Sequence, residues 1–228
     1  HCSYFFPCSR RIRLEVDTRG QSTNDAWMKA RKGCITASII GQIYSMKDST
    51  IPTRLFNEIM QVSEVQDLSH IPAIKHGRMF EGQARQAYES IYRVAIEERG
   101  FMLHPKHDWL GASTDGYIRN PPSVVEIKCP MPVQGVVDLS ELASQRKSWF
   151  LSYNGDTLML NKTHKYYYQC QLQMECLIVN RCVFITYLYD QEGNFQDMYC
   201  EEITRDEAVI AQLISKASHF RNKFLCGK

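Results

Sequence analysis

The spacing of apolar residues along the chain changes near residue 95. Before that point it favours helices. "STNDAWMKARKG" offers Thr23 and Asn24 as N-caps and Gly33 as a stop, which predicts a short helix. "ITASIIGQIY" predicts another that starts after Thr36 or Ser38, and "IPTRLFNEIMQ" a third with Pro52 near its start. From Lys75 to Arg93, the apolar residues Met79, Phe80, Ala84, Ala87, Tyr88 and Ile91 recur at helical spacing. Beyond it, "AIEERGFMLHP", "WLGASTDGYIRN" and "SVVEIKC" are short β-rich runs separated by Gly, Asn and Pro. "HKYYYQCQLQMECLIV" is longer than a usual strand and reads as a helix despite its tyrosines. "RCVFITYLY" and "FQDMYCEEI" predict a strand pair across "DQEGN", and "RDEAVIAQLISKASHFRNKFL" an amphipathic closing helix. Helices, three strands, a helix, two strands and a helix predict an α/β or α+β fold with a central mixed sheet flanked by helices.

The length of 228 residues fits a single domain over 1–228, with 1–22 as an N-terminal extension, and can bury a substantial core. No apolar run approaches the roughly 20 residues of a membrane span. "HCSYFFPCSRRIR" is too short and too quickly basic for a signal peptide, so the expectation is an intracellular protein with no membrane partner. A start at His1 rather than Met reads as a fragment of something longer. The net charge of +2 excludes a polycation. Nucleic-acid binding would need a local patch, such as Arg10, Arg11 and Arg13 or Lys29, Arg31 and Lys32. Each cluster alone is read more simply as a solvated face. The nine cysteines form no C-x-x-C pair, and their odd number argues against a disulfide framework and for a reducing compartment.

Candidate chemistry gathers in "GASTDGYIRNPPSVVEIKCP". Glu126 and Lys128, two apart in a predicted strand, project from one face. Ile127 points into the core while its carbonyl can turn toward the edge. Asp115 is expected to end the preceding strand of a hairpin, near the same end of the sheet. Two carboxylates, a carbonyl and waters form the hard-oxygen set that Mg²⁺ prefers. Such an ion activates a water and offsets charge on a phosphoryl oxygen, and an adjacent ammonium assists. Taken alone the pattern is weak, and a salt bridge on a wet face would explain Glu126 and Lys128 better.

Five blocks in order change that weighing: "WMKARKGCITAS", "HGRMFEGQAR", "LGASTDG", "VEIKCP" and "YYYQCQLQM". Together they resemble the lambda exonuclease family, the YqaJ-type viral recombinases of the PD-(D/E)xK superfamily, across Trp27 to Met174. The resemblance implies a restriction-endonuclease-like core. It implies a Mg²⁺-dependent exonuclease that digests one strand of duplex DNA from the 5′ end, in recombination or repair. One or two ions are implied per site, with Mn²⁺ able to substitute. Asp115 and Glu126 match metal-binding carboxylates, the Ile127 carbonyl a further ligand, and Lys128 the catalytic lysine. Glu81 matches a helix carboxylate that serves a second ion through water; an i,i+4 pair with Arg85 is its plain alternative. Gln169 matches a glutamine that helps place the nucleophilic water; a solvent-facing helix residue is the alternative.

Arg31 and Ser38 match a 5′-phosphate pocket, whose chemistry suits an Arg fork, a hydroxyl and free helix N–H groups. A surface Arg and a Ser N-cap are the plain reading. Trp27 is expected to pack rather than stack on a base, and His104 and His107 to be structural. Two positions depart from the family pattern: Thr114 replaces the proline of "SPDG", and Gln134 stands where a second phosphate-binding arginine is expected. Iron–sulfur ligation, known in related nucleases, has little support in the cysteine spacing. Double-stranded DNA is the implied partner, with a single-strand annealing protein and a homo-trimer as further expectations. An endonuclease, an RNA-cleaving relative and an inactive nucleic-acid-binding module are the alternatives.

Overall fold

The structure, a computed structural model, describes residues 8–62, 72–146, 148–153 and 155–226. The N-terminal half is helical. It comprises α1 (Cys8–Asp17), α2 (Asp25–Arg31), α3 (Ala37–Tyr44), α4 (Thr53–Met60) and α5 (Pro72–Tyr92), with the short strand β1 (Ile35–Thr36) before α3. There follow β2 (Met102–Leu103), β3 (Leu110–Ala112), β4 (Gly116–Ile118), β5 (Ser123–Lys128), α6 (Leu139–Gln145), β6 (Leu151–Tyr153) and β7 (Leu158–Leu160). The chain continues through α7 (Lys165–Leu177), β8 (Arg181–Tyr189), β9 (Phe195–Thr204) and α8 (Glu207–Phe220).

The central sheet has the order β4-β5-β8-β9. β5 runs parallel to β8 and the other neighbours are antiparallel, so the sheet is mixed as expected. β5 is interior and covered on both faces, so its residues Ser123 to Ile127 are all buried, the polar ones included. Val124 joins Phe184 and residues of α7 in one cluster. Val125 and Ile127 join Phe80, Ala84 and Tyr88 of α5 in another. Glu126 shares the face of Val124 and is thereby aimed at α7.

Local chemistry sets the boundaries near that face. Asn24 Oδ1 accepts from the Ala26 amide at 2.9 Å and starts α2, and Gly33, at φ 76°, follows its end. His164 Nδ1 accepts from the Tyr166 amide at 3.2 Å and starts α7. Gly41 lets α3 approach α7 closely, since a Cβ there would lie 2.6 Å from the Lys165 Cβ. α3 and α7 therefore meet with little between them.

The sequence reading and the structure differ in three places. The three β-rich runs do not share one sheet: β2 and β3 pair with β1 in the order β1-β3-β2, while β4 and β5 form a hairpin on the central sheet. Periodicity marks a strand but not its partner, and the two residues of β1 have no readable period. Second, α1, α6 and the β6–β7 hairpin were not expected. α1 exposes Ile12 and Val16 and is held by polar contacts that hydropathy does not register. Third, the Arg10, Arg11, Arg13 cluster does not form a basic patch. Arg11 is buried and donates to the carbonyls of Leu103 at 2.8 Å and Cys176 at 2.5 Å, while Arg13 pairs with Asp17 at 3.7 Å. The Glu15 carboxylate accepts from the Gly100 amide at 2.9 Å, so the described part of 1–22 is knitted into the domain.

The cysteines with described side chains are free thiols, among them the buried Cys34, Cys170, Cys176 and Cys182. Among the described residues no helix is long and apolar enough to cross a membrane.

Candidate active site

Asp115 lies between β3 and β4, at the open end of the β4–β5 hairpin. Its amide donates to the Val125 carbonyl at 3.0 Å, and its Oδ2 accepts from the Ile127 amide at 2.7 Å. It therefore leads into a strand rather than ending one, as the sequence had suggested. Its proximity to the end of β5 holds all the same, because the antiparallel register sets Gly116 opposite Val125.

Glu126 is not on a wet face. It is 1% exposed, and three donors surround its carboxylate. Oε1 accepts from the Lys128 ammonium and from Gln169 Nε2 at 2.7 Å; Oε2 accepts from Gln173 Nε2 at 2.6 Å. Gln169 and Gln173 are one turn apart on α7, so both reach the same carboxylate. Gln169 is thus not a solvent-facing helix residue. A carboxylate has about four acceptor positions, and the donors leave roughly one open.

Burial, and after it the charges of Glu126 and Glu81, push the Asp115 carboxyl well above the usual range; Lys128 and the Ile127 amide offset only part of this. Burial works against the Lys128 ammonium, but Glu126 and Asp115 outweigh it and hold its pKa above the ordinary value. Lys128 Nζ also stands 4.5 Å over the Tyr166 ring.

Arg31 and Ser38 line the same cavity, of about 240 Å³, as Asp115, Glu126, Lys128 and Gln169. Arg31 lies 4.0 Å over the Trp27 ring, and Trp27 Nε1 donates to Ser113 Oγ at 2.7 Å. Burial lowers the Arg31 pKa, and Glu58 and Cys34 offset this only in part. Ser38 Oγ is 3.0 Å from Thr36 Oγ1, at the start of α3. Two groups that are distant in sequence therefore share one space.

Other site residues fall elsewhere. Glu81 does not line the cavity; it pairs with Arg85 at 3.7 Å, and its charge is still felt at Asp115. The Ile127 side chain is in the core, as expected. Gln134 is exposed and outside the cavity. His104 is 1% exposed, 2.9 Å from the Glu175 carboxylate, and accepts from two backbone amides through Nδ1, which is a structural role.

Sequence reasoning missed Gln173, Ser113, Thr36 and Gln21. Gln173 was accessible, since it lies four residues after Gln169 in a predicted helix. Gln21 gave no signal, because its partners are backbone carbonyls far along the chain. Its Nε2 donates to Arg99 at 3.0 Å and Thr114 at 2.7 Å. The turn that lacks the family's proline is thereby held from outside.

The donor set suits a hard divalent cation: oxygen ligands, and an Asp115 carboxyl whose charge is only partly compensated. Among the described residues no three His, Cys, Asp or Glu side chains form a ready metal cage, so a backbone carbonyl or water would complete the shell.

The mixed α+β fold is of the exonuclease and restriction-endonuclease-like kind. The chain belongs to the YqaJ-like viral recombinase domain family, whose model matches residues 26–178. It is 36% identical over 104 residues to the alkaline nuclease of human herpesvirus 7 (strain JI), a stretch covering 46% of this chain and 20% of that protein. The matched stretch thus spans about a fifth of that relative. Its fold is similar to that of the alkaline exonuclease LHK-Exo from Laribacter hongkongensis, with a TM-score of 0.66, 24% identity and coverage of 89% of this chain and 93% of that one. The shutoff and exonuclease protein of Kaposi's sarcoma-associated herpesvirus is similar at a TM-score of 0.63 and 14% identity, over 92% of this chain and 71% of that one.

Proposed function

We propose that this chain is a Mg²⁺-dependent exonuclease that digests one strand of double-stranded DNA from the 5′ end. The observation that carries this reading is the shared cavity, which Arg31 and Ser38 line together with Asp115, Glu126, Lys128 and Gln169. A terminal phosphate suits the Arg31 guanidinium, the Ser38 hydroxyl and the free amides of the first turn of α3. A single arginine, with Gln134 in place of a second, makes the preference for that phosphate modest.

Asp115, Glu126 and the Ile127 carbonyl would hold the ion, with Glu81 reaching a second through water. Held there, a divalent ion would supply a lowered pKa to a bound water and an offset for phosphoryl charge. The Lys128 ammonium, beside Glu126, would donate hydrogen bonds and stabilise developing negative charge. Gln169 fixes one Glu126 oxygen and leaves its own carbonyl to orient a water. The free thiols fit a reducing compartment. A single-strand annealing protein as partner and a homo-trimer belong to the same proposal.

The test is a digest of end-labelled linear duplex, closed circular DNA and RNA, with Mg²⁺ and with chelator. Release of 5′ nucleotides from the linear duplex alone, abolished by chelator, is the expected result. Cutting of the circle would replace it with an endonuclease. Cleavage of RNA alone would replace it with an RNA-cleaving enzyme; SOX, of the same fold, has been solved with DNA and with RNA. Metal binding with no cleavage would mean an inactive binding module.

A further inference from the structure

Gln173 is fully buried, does not line the cavity, and has no place in the reading above. Its Nε2 makes two hydrogen bonds, to Glu126 Oε2 at 2.6 Å and to the Ser113 carbonyl at 2.9 Å. Its Oε1 is buried without a partner. The amide orientation is forced, because both neighbours are acceptors and only the nitrogen can face them. Turning the amide over would set its oxygen against a carboxylate. An unpaired buried acceptor destabilises a fold, and a methionine would fill the same space without it. The position therefore pays in stability for a two-pronged donor.

The two prongs hold different things. One grips the strand residue Glu126, and the other grips the backbone two residues before Asp115. The two carboxylates come from separate segments, and the Ile127 amide also links them, through Asp115 Oδ2. We propose that Gln173 is the positioning residue that clamps the Asp115 loop to Glu126, so that both carboxylates keep one register before any ion arrives. The clamp stands on geometry alone; its effect on metal binding rests on the nuclease reading.

The experiment pairs amide hydrogen exchange with Mn²⁺ binding, both on the full chain. Gln173→Met keeps the volume and removes the donor. In metal-free protein it should speed exchange at the Asp115 and Ile127 amides by about ten-fold or more, while amides of β8 and β9 keep their rates. Mn²⁺ affinity, read by electron paramagnetic resonance of the free ion, should fall about ten- to a hundred-fold, the usual effect of losing a residue that orients a ligand. On duplex DNA, kcat should fall and KM should hold.

Should the methionine variant fail to fold, Gln173→Asn retains the amide but draws it back by a methylene, and should show smaller changes of the same sign. Unchanged exchange at Asp115 and Ile127 in a folded variant overturns the clamp. A lower Tm with Mn²⁺ affinity and kcat intact overturns the positioning role. Faster exchange in the variant, in a protein whose wild type binds no Mn²⁺, supports the clamp and removes the nuclease reading instead.

Discussion

Arg31 rests on Trp27, 4.0 Å above its ring, and Trp27 donates to Ser113, two residues before Asp115. The Arg31 guanidinium is thus tied, through one indole, to the loop that supplies Asp115. Trp27 packs as expected from sequence, and its N–H adds this connection.

Arg31→Ala should erase a preference for 5′-phosphorylated over 5′-hydroxyl duplex of roughly ten-fold or more, since a charge-assisted bond to phosphate is worth about 1.5–3 kcal/mol. Arg31→Lys should restore only part of it, because an ammonium lacks the planar fork that stacks on Trp27. Initial rates on the two substrates decide this. Equal wild-type rates for both ends would remove the pocket.

Asp115→Asn and Glu126→Gln should each abolish Mg²⁺-dependent cleavage, yet move stability in opposite directions. With its pKa raised, the Asp115 carboxyl stabilises the fold most at low pH, and that stability is lost as pH rises through the raised value. Asparagine mimics the protonated form, so Asp115→Asn should raise Tm in chelator near pH 8. Glu126→Gln should lower Tm by an amount corresponding to about 1–3 kcal/mol, because an amide N–H would then confront donors from α7 or Lys128. Thermal unfolding of both variants without metal is the check. A stabilised Glu126→Gln would contradict the donor arrangement.

Lys128→Ala should leave duplex binding intact and slow cleavage about 10²- to 10⁴-fold, the range for losing a positioned charge-stabilising or proton-transferring group. Binding titrations beside single-turnover rates separate the two effects.

His164 gives the domain a signed pH dependence. Burial, with Lys165 and Lys128 nearby, lowers its pKa from 6.5 to about 4. The unfolded chain therefore takes up the proton first, so the stability from the neutral cap is complete above 6.5 and is lost as pH falls through about 4. Because His164 is only half-buried, solvent screening reduces the corresponding loss to something on the order of 2 kcal/mol. His164→Asn caps α7 without titrating and should flatten this part of the profile in urea unfolding. An unchanged acid slope would place its origin elsewhere.

The sequence was most legible where a pattern is local. α2, α3, α5, α7, α8 and the β8–β9 pair follow from caps and apolar spacing. The order of Asp115, Glu126 and Lys128 in one hairpin was only a weak signal on its own, and the family resemblance is what singled them out. Arg31 and Ser38 were named only through family resemblance, since nothing in their spacing shows that α3 packs against α7 through Gly41. Gln21 and Gln173 act on partners 47 or more residues away, as from Gln173 to Glu126, and such contacts leave no mark in a linear pattern. The sheet partners of β2 and β3 were unreadable for the same reason.

The two bonds of Arg11 bear on where this unit can be cut. The family match begins at residue 26, well after α1. A chain trimmed to that boundary would leave the Leu103 and Cys176 carbonyls without their donor, and Cys176 lies at the far end of the helix that carries Gln169 and Gln173. Trimming would therefore loosen α7 from the end opposite His164, with every side chain of the proposed site still present. The smallest piece that keeps the recognisable motifs is shorter than the smallest piece that holds them in place.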